Sequence, residues 1–329
     1  LENISYLTHN QIDKSKWDEC ITLSPQAQLY ANSFYLDIVS PNWEAIVKIN
    51  QDKYLTVMPL PIKKKYGISF LHQPLFCQQL GLFSTQQEIS EEEKKIFLTL
   101  VLERFQFIPS YQFNTHHSNL SFLSNENQLF TFHQTHYLSL KDEYITLHQN
   151  YSHDRKINLR RALKANIQII ESQDIKPLLF MFEKDIAAKI QGGVASEAYS
   201  LTERIFEELK TRKSCKLLYA KNLQGEITAG GLFAFYQDKI IYLFNAGYSH
   251  TRKENGRTLL IDWIIRQNAN SSLVFDFESA EVASIAYFYK SFGSTAMSYP
   301  VIKQYNQLPQ WINVIWSLKR RFLKNFNNI

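Results

Sequence analysis

A chain of 329 residues is long for one domain and comfortable for two of roughly 150 residues each. With 45% hydrophobic and 20% charged residues it can build a full core, which excludes intrinsic disorder, collagen-like repeats and a disulfide miniprotein. Lys and Arg number 36 against 31 Asp and Glu; a net charge of +5 is too small to argue for nucleic acid by itself, so phosphate binding has to come from local clusters.

Three cysteines, Cys20, Cys77 and Cys215, lie far apart without a CxxC pair, so they read as buried thiols of a reducing compartment rather than as bridges or zinc ligands. No apolar run approaches the roughly 18 residues of a membrane span. The opening Leu1-Glu2-Asn3-Ile4 has neither the basic start nor the apolar stretch of a signal peptide. The expected location is cytoplasmic.

Strand-like and helix-like segments alternate, which predicts a mixed α/β (α+β) architecture. In the first half, strands are expected at 43–50, 54–62 and 68–76. Ser90, followed by Glu91, Glu92 and Glu93, announces a helix that runs to Phe105, and a short strand follows at 111–114. A helical stretch at 144–165 carries Arg155, Lys156, Arg160, Arg161 and Lys164. In the second half, strands are expected at 216–221, 227–236 and 239–248, then a helix at 258–268 and a strand at 273–277. The two halves match in order: 45–62 resembles 217–236, and 95–105 resembles 259–268. That pattern predicts a duplicated fold, two domains packed closely with a cleft between them.

The most informative segment is 230–293. Its polar loop ends in Asn255-Gly256-Arg257 immediately before a helix. A helix N-terminus presents free N–H groups and the positive end of the dipole, which suits a phosphate or a carboxylate, and Arg252, Lys253 and Arg257 add charge. A plain Asn or Gly cap with solvated charges is the competing reading. Beyond the helix, Asp276-Phe277-Glu278-Ser279 ends a buried strand, and Tyr287-Phe288-Tyr289-Lys290-Ser291-Phe292-Gly293 follows on an aromatic helix. This order of strand, polar glycine loop, helix, buried strand and aromatic helix resembles the GNAT superfamily of acyltransferases. The acidic-aromatic strand end, and the aromatic-lysine segment before a Phe-Gly pair, resemble its FemABX-like branch. Asn158-Leu159-Arg160-Arg161-Ala162-Leu163-Lys164 is similar to that branch's R-R-A-x-K helix between domains.

The resemblance implies two tandem GNAT-like domains, each a mixed, mostly antiparallel sheet flanked by helices. Residues 1–143 would be a degenerate first domain, 144–305 the second domain with the active site, and 306–329 a basic amphipathic C-terminal helix. The implied activity is N-acyl transfer to an amine acceptor, a small molecule or a lipid-linked cell-envelope precursor. A catalytically silent GNAT-fold binding or scaffold protein is the alternative. The implied donor is acyl-CoA as co-substrate, or aminoacyl-tRNA as in the resembled branch, and no metal is called for. Ordinary GNATs cradle the pyrophosphate with R/Q-x-x-G-x-G/A, whereas read from Arg252 this chain has Asn255 and Arg257 at the glycine positions, and read from Lys253 it has Gly256 and Thr258 with the following helix out of step. In the first half, Leu80-Gly81-Leu82-Phe83 is followed by Glu91 to Glu93, which would repel a phosphate.

Acyl transfer needs a group that stabilises the developing oxyanion and a way to take a proton from the amine. By the resemblance, Lys290 is the oxyanion stabiliser; otherwise it is a lysine on a solvated helix face. Glu278 is the proton acceptor or amine orienter, or else a neighbour of a Ser279 helix cap. Asp276 alternates with Phe275 and Phe277, so it faces either the cleft or a buried structural hydrogen bond. The donor's phosphates are expected at Asn255, Gly256, Arg257 and Thr258, its acyl carbonyl at Asn245, Ala246 and Gly247, and the substrate at Arg160 and Tyr287. Arg160, Lys164 and Lys156 form a helical stripe, and such stripes are commonly solvated. His133 and His136 point to opposite faces of a strand and make a poor metal pair. Trp311, Ile315, Leu318, Phe322 and Phe326 recur at helical spacing beside Lys319, Arg320, Arg321 and Lys324. They read as a docked helix or as a basic one touching an anionic membrane surface.

Overall fold

In the computed structural model the described residues are 3–65, 67–117, 130–190, 193–279 and 282–304, with only the backbone of Ser279 included. The helix expected at 306–329 and the proposed Ser279 cap fall outside them. The chain forms two compact units: 1–74, 79–132 and 300–329 make the first, 75–78 and 133–299 the second.

The first unit opens with β1 (Ile4–Leu7), α1 (Lys14–Leu23) and α2 (Ser33–Val39). Asp13 caps α1 by accepting from the amides of Ser15 and Lys16, and the helix buries Trp17, Cys20 and Ile21. Next come β2 (Glu44–Asn50), β3 (Lys53–Leu60), β4 (Ile62–Lys65), β5 (Ile68–Leu71), β6 (Phe83–Ser84), α3 (Glu91–Arg104) and β7 (Ile108–Gln112). Gln51 and Asp52 both take positive φ, as a two-residue hairpin turn requires. The main sheet is antiparallel in the order β1-β2-β3-β6. Ser90 caps α3 as expected, accepting from the Glu93 amide, and three glutamates in the first turn suit the helix dipole. The expected strand 68–76 stops at Leu71 and pairs only with β4. Pro74 cannot donate to a ladder and Phe76 is left-handed, so 75–78 departs into the second unit and β6 becomes the third strand.

The second unit takes β8 (Phe130–Ser139) from His133 onward, then α4 (Tyr144–Gln149), α5 (His153–Lys164), β9 (Gln168–Ser172), α6 (Lys176–Asp185) and α7 (Ser196–Thr211). It continues through β10 (Cys215–Lys221), β11 (Ile227–Tyr236), β12 (Lys239–Gly247), α8 (Gly256–Asn268), β13 (Val274–Ser279), α9 (Ala283–Lys290) and β14 (Thr295–Gln304). Its sheet runs β14-β8-β13-β12-β11-β10-β9. The last residues of β14 belong to the first unit and pair antiparallel with β7. The single expected helix 144–165 is two helices. Ser152 caps the second by accepting from the Arg155 amide, and its own amide donates to the Ser291 carbonyl, which fixes the break.

Each unit thus contains the run strand, two helices, three strands, helix, strand: β1 to β7 in the first, with the β4–β5 hairpin as an insertion, and β9 to β13 in the second, where β8, α4 and α5 precede it and α9 and β14 follow. The core of the second unit collects Leu159 and Ala162 of α5, Leu260, Ile261 and Ile264 of α8, and Phe275 and Phe277 of β13.

Candidate functional site

β12 and β13 are parallel, yet they pair only from Lys239 to Ile241 against Val274 to Asp276. Each then takes an extra residue against its outer neighbour. Phe233 faces Tyr242 while Leu232 faces Phe244, which leaves Leu243 bulged in β12. In β13 the pairing shifts between Asp276 opposite Tyr137 and Ser279 opposite Thr135. Bulges bend and twist the strand that carries them, so the two strands part. β12 runs on to half-buried Asn245, buried Ala246 and half-buried Gly247.

The chain then climbs through a polar loop to α8. Asn255 is left-handed and turns its side-chain amide to the Lys253 carbonyl at 2.7 Å, so it does not cap the helix. The first helical bond runs from the Leu259 amide to the Asn255 carbonyl. The amides of Gly256, Arg257 and Thr258 meet no acceptor among the described residues, and they carry the positive end of α8. A Cβ built on Gly247 would lie 3.5 Å from Cγ and Cδ of Arg257, so that side chain's stem covers the end of β12.

Arg155 completes the positive cluster. Only 6% exposed, it donates from Nε to Ser291 Oγ at 2.9 Å and from a terminal nitrogen to Thr258 Oγ1 at 2.5 Å. Its guanidinium lies 4.2 Å from the Phe288 ring centre and 4.7 Å from that of Phe292. Among the described residues no carboxylate forms an ion pair with it. Burial first, and then the nearby Arg257, pull its pKa down to about 10. Arg160, expected at the substrate, is exposed, as are Arg161 and Lys164, in line with a solvated stripe. Arg155 shares the buried face with Leu159 and Ala162 at i+4 and i+7. A charged residue on an apolar stripe was the signal that could have found it.

From α9, Tyr289 is buried beside Phe277, with ring centres 5.0 Å apart, and the Asn245 side chain lies close enough to act on its hydroxyl. Burial pushes that phenol well above its ordinary range. The Tyr242 hydroxyl, also buried and pushed up by burial, has no hydrogen-bond partner among the described residues. Tyr287, expected at the substrate, is 63% exposed, within electrostatic reach of Arg155. Lys290 is exposed. Its charge reaches buried His136, whose pKa is lowered by desolvation first and by Lys290 second. His136 accepts from or donates to Ser294 Oγ at 2.9 Å.

Glu278 is half-buried with a φ of 61°, electrostatically coupled to Tyr289 and Cys77. Asp276 corrects the cleft-facing option. It does alternate with Phe275 and Phe277, but it is 0% exposed and accepts from Thr135 Oγ1 and from the Glu278 amide, both at 2.9 Å. Among the described residues no group of three or more His, Cys, Asp or Glu is placed to hold a metal.

Gly256 departs from the expectation that its replacement by valine weakens the donor and leaves the fold intact. Its missing side chain serves packing, because a Cβ there would lie 2.5 Å from Thr228 Oγ1 and 3.1 Å from the Ala220 Cβ. Substitution at Gly256 therefore disturbs the fold instead of sparing it. Gly256→Ala should lower unfolding free energy by about 1–3 kcal/mol through overpacking, read by urea denaturation, and Thr228→Ala should restore part of the loss. Unchanged stability in Gly256→Ala would mean that the glycine serves only ligand approach.

No family model matches the chain, and no curated protein matches it in sequence. Solved structures do match in fold. FemX aligns over 90% of this chain and 96% of its own, with a TM-score of 0.64 and 12% identity. A tandem GNAT protein from the clavulanic acid biosynthesis pathway aligns over 93% and 100%, with a TM-score of 0.52 and 8% identity. The C-terminal domain of a provisionally named lysylphosphatidylglycerol synthetase from Agrobacterium fabrum aligns over 89% and 92%, with a TM-score of 0.51 and 10% identity. At such identities the likeness is one of fold: the chain has the tandem GNAT fold, in the form that FemX shares.

Proposed function

We propose that the chain is an N-acyltransferase that moves an acyl or aminoacyl group from a phosphate-bearing donor to an amine. One observation carries this reading: three amides at the start of α8 that meet no acceptor among the described residues, with Arg257 and with Arg155, which pairs with no carboxylate among them, gather positive charge beside the parting of β12 and β13. Like charges so placed repel, and a bound phosphate would relieve them. The donor's acyl carbonyl then enters the gap at Asn245, Ala246 and Gly247, whose backbone has no β13 partner among the described residues.

The amine attacks the carbonyl carbon, and Glu278 takes its proton. Lys290 stabilises the oxyanion, and its charge already acts on His136 in the same region. Tyr289, held protonated by burial, is the group that returns a proton to the leaving sulfur or oxygen. Tyr287 and Arg160, both at the surface, would touch only the outer parts of a large substrate. Arg257, standing where an acyl-CoA loop has glycine and covering Gly247, favours a donor whose phosphate is met by side chains, as in aminoacyl-tRNA. The FemX and lysylphosphatidylglycerol synthetase folds are compatible with that choice, and with a lipid-linked acceptor. Among the described residues no helix is long and apolar enough to cross a membrane. Membrane contact through 306–329 remains part of the proposal. Calorimetric titration with coenzyme A, acyl-CoAs and an aminoacyl-RNA minihelix tests the donor; no binding by any of them would favour the silent scaffold.

Lys290→Met keeps the stem and removes the charge, so turnover should fall by about 10²-fold or more. Glu278→Gln keeps the shape and should cost about 10² to 10⁴ in rate. Both variants should stay folded by circular dichroism, and wild-type rates in both would move the chemistry elsewhere. Arg155→Met removes a buried charge together with its two hydrogen bonds, effects that oppose each other. Its melting temperature without donor should therefore change little, while donor affinity falls about tenfold or more. Strong destabilisation with unchanged donor affinity would make Arg155 a purely structural cross-link.

A further inference from the structure

We infer that Asp276 and Thr135 form a latch that holds Glu278 in its left-handed conformation, so that Asp276 serves acyl transfer as a positioning residue without touching substrate. The inference rests on the proposed role of Glu278 as proton acceptor. Glutamate seldom adopts a φ of 61°, because its Cβ crowds the backbone there, and such residues persist where surrounding contacts over-determine them.

Those contacts are specific. Asp276 Oδ1 accepts from the Glu278 amide at 2.9 Å, closing a loop over the bulge two residues on. The same oxygen accepts from Thr135 Oγ1 at 2.9 Å, and that hydroxyl lies 3.1 Å from the Glu278 carbonyl oxygen. One hydroxyl proton is thus shared between the two acceptors that bracket the left-handed residue. Thr135 stands opposite Ser279 in the β8–β13 ladder, so the hydroxyl comes from the strand against which the bulge forms. Asp276 itself cannot swing away. It is fully buried and attracted by the buried Lys239 ammonium, which lies 5.7 Å from the Tyr137 ring centre, and Phe275 and Phe277 fill the opposite face. Every hydrogen bond the carboxylate makes among the described residues goes to Thr135 or to the Glu278 peptide.

The test compares Thr135→Val, Thr135→Ser and Asp276→Asn in the full chain. Valine keeps the shape and removes the hydroxyl. Hydrogen exchange at the Glu278 amide should then run about five- to tenfold faster, and kcat should drop about tenfold or more, since small misplacements of a reacting group are costly, with donor KM within about twofold. Serine restores the hydroxyl and should return both readouts. Asparagine keeps Oδ1 as acceptor but removes the charge that faces Lys239, so exchange at the Glu278 amide should stay near wild type while the melting temperature falls. Two results would overturn the latch: wild-type exchange and kcat in Thr135→Val, or lost turnover with preserved exchange in Asp276→Asn, which would place the carboxylate in the chemistry. Wild-type turnover by Glu278→Gln would instead remove Glu278 as base, and the exchange comparison would still decide the latch.

Discussion

Parallel strands that share a ladder usually keep it, because each unpaired backbone group forgoes a hydrogen bond. β12 and β13 give theirs up after Ile241 and Asp276, and the second unit is organised around that separation. Bulges on both strands bend them apart, at Leu243 in one and around Phe277–Glu278 in the other. At Asn245 to Gly247 β12 still pairs with β11 but has no β13 partner among the described residues, and Gly247 lies against the Arg257 side chain at a helix start whose first amides likewise meet no acceptor among them. In the proposed reading, these two stretches of backbone would receive the carbonyl and the phosphate of one donor.

Electrostatics act in the same direction. Arg155 ties α5 to the first turn of α8 and the end of α9 through two hydroxyls and two aromatic rings, none of which neutralises its charge. A guanidinium is seldom this buried without a carboxylate, and among the described residues none pairs with Arg155. Arg257 and the α8 dipole add to the same sign. A fold that places three positive features together stores repulsion that an anionic ligand removes, and in doing so fixes the three elements that frame the site. The latch beneath Glu278 follows the same logic: local backbone strain is kept where surrounding contacts enforce it.

Much of the fold was legible in the sequence where signals were local. Dense apolar strands around the Gln224-Gly225 turn gave β10 to β12, and Ser90 with three glutamates gave α3 within a residue of its observed bounds. Alternation correctly set Asp276 opposite Phe275 and Phe277, but it is silent on what fills the other side, which here is Thr135 from 141 residues away. A two-residue strand such as β6 has no period to detect, and the longer apolar run 68–76 carries the strand pattern instead. Tyr287 and Tyr289 look alike in sequence, and only the packing of α9 decides that the second is buried and the first is not. Gly256 was read as room for a ligand, because a glycine beside a helix start serves helix–sheet packing equally well.

The central claim is that a donor phosphate settles on the start of α8. The most direct measurement is an amide nuclear magnetic resonance titration of the isotopically labelled chain with coenzyme A and, separately, with an aminoacyl-RNA minihelix. Saturable downfield shifts at Gly256, Arg257 and Thr258 with at least one of the two ligands are the expected result. Binding of either ligand that leaves those three amides unmoved while shifting others would contradict the account.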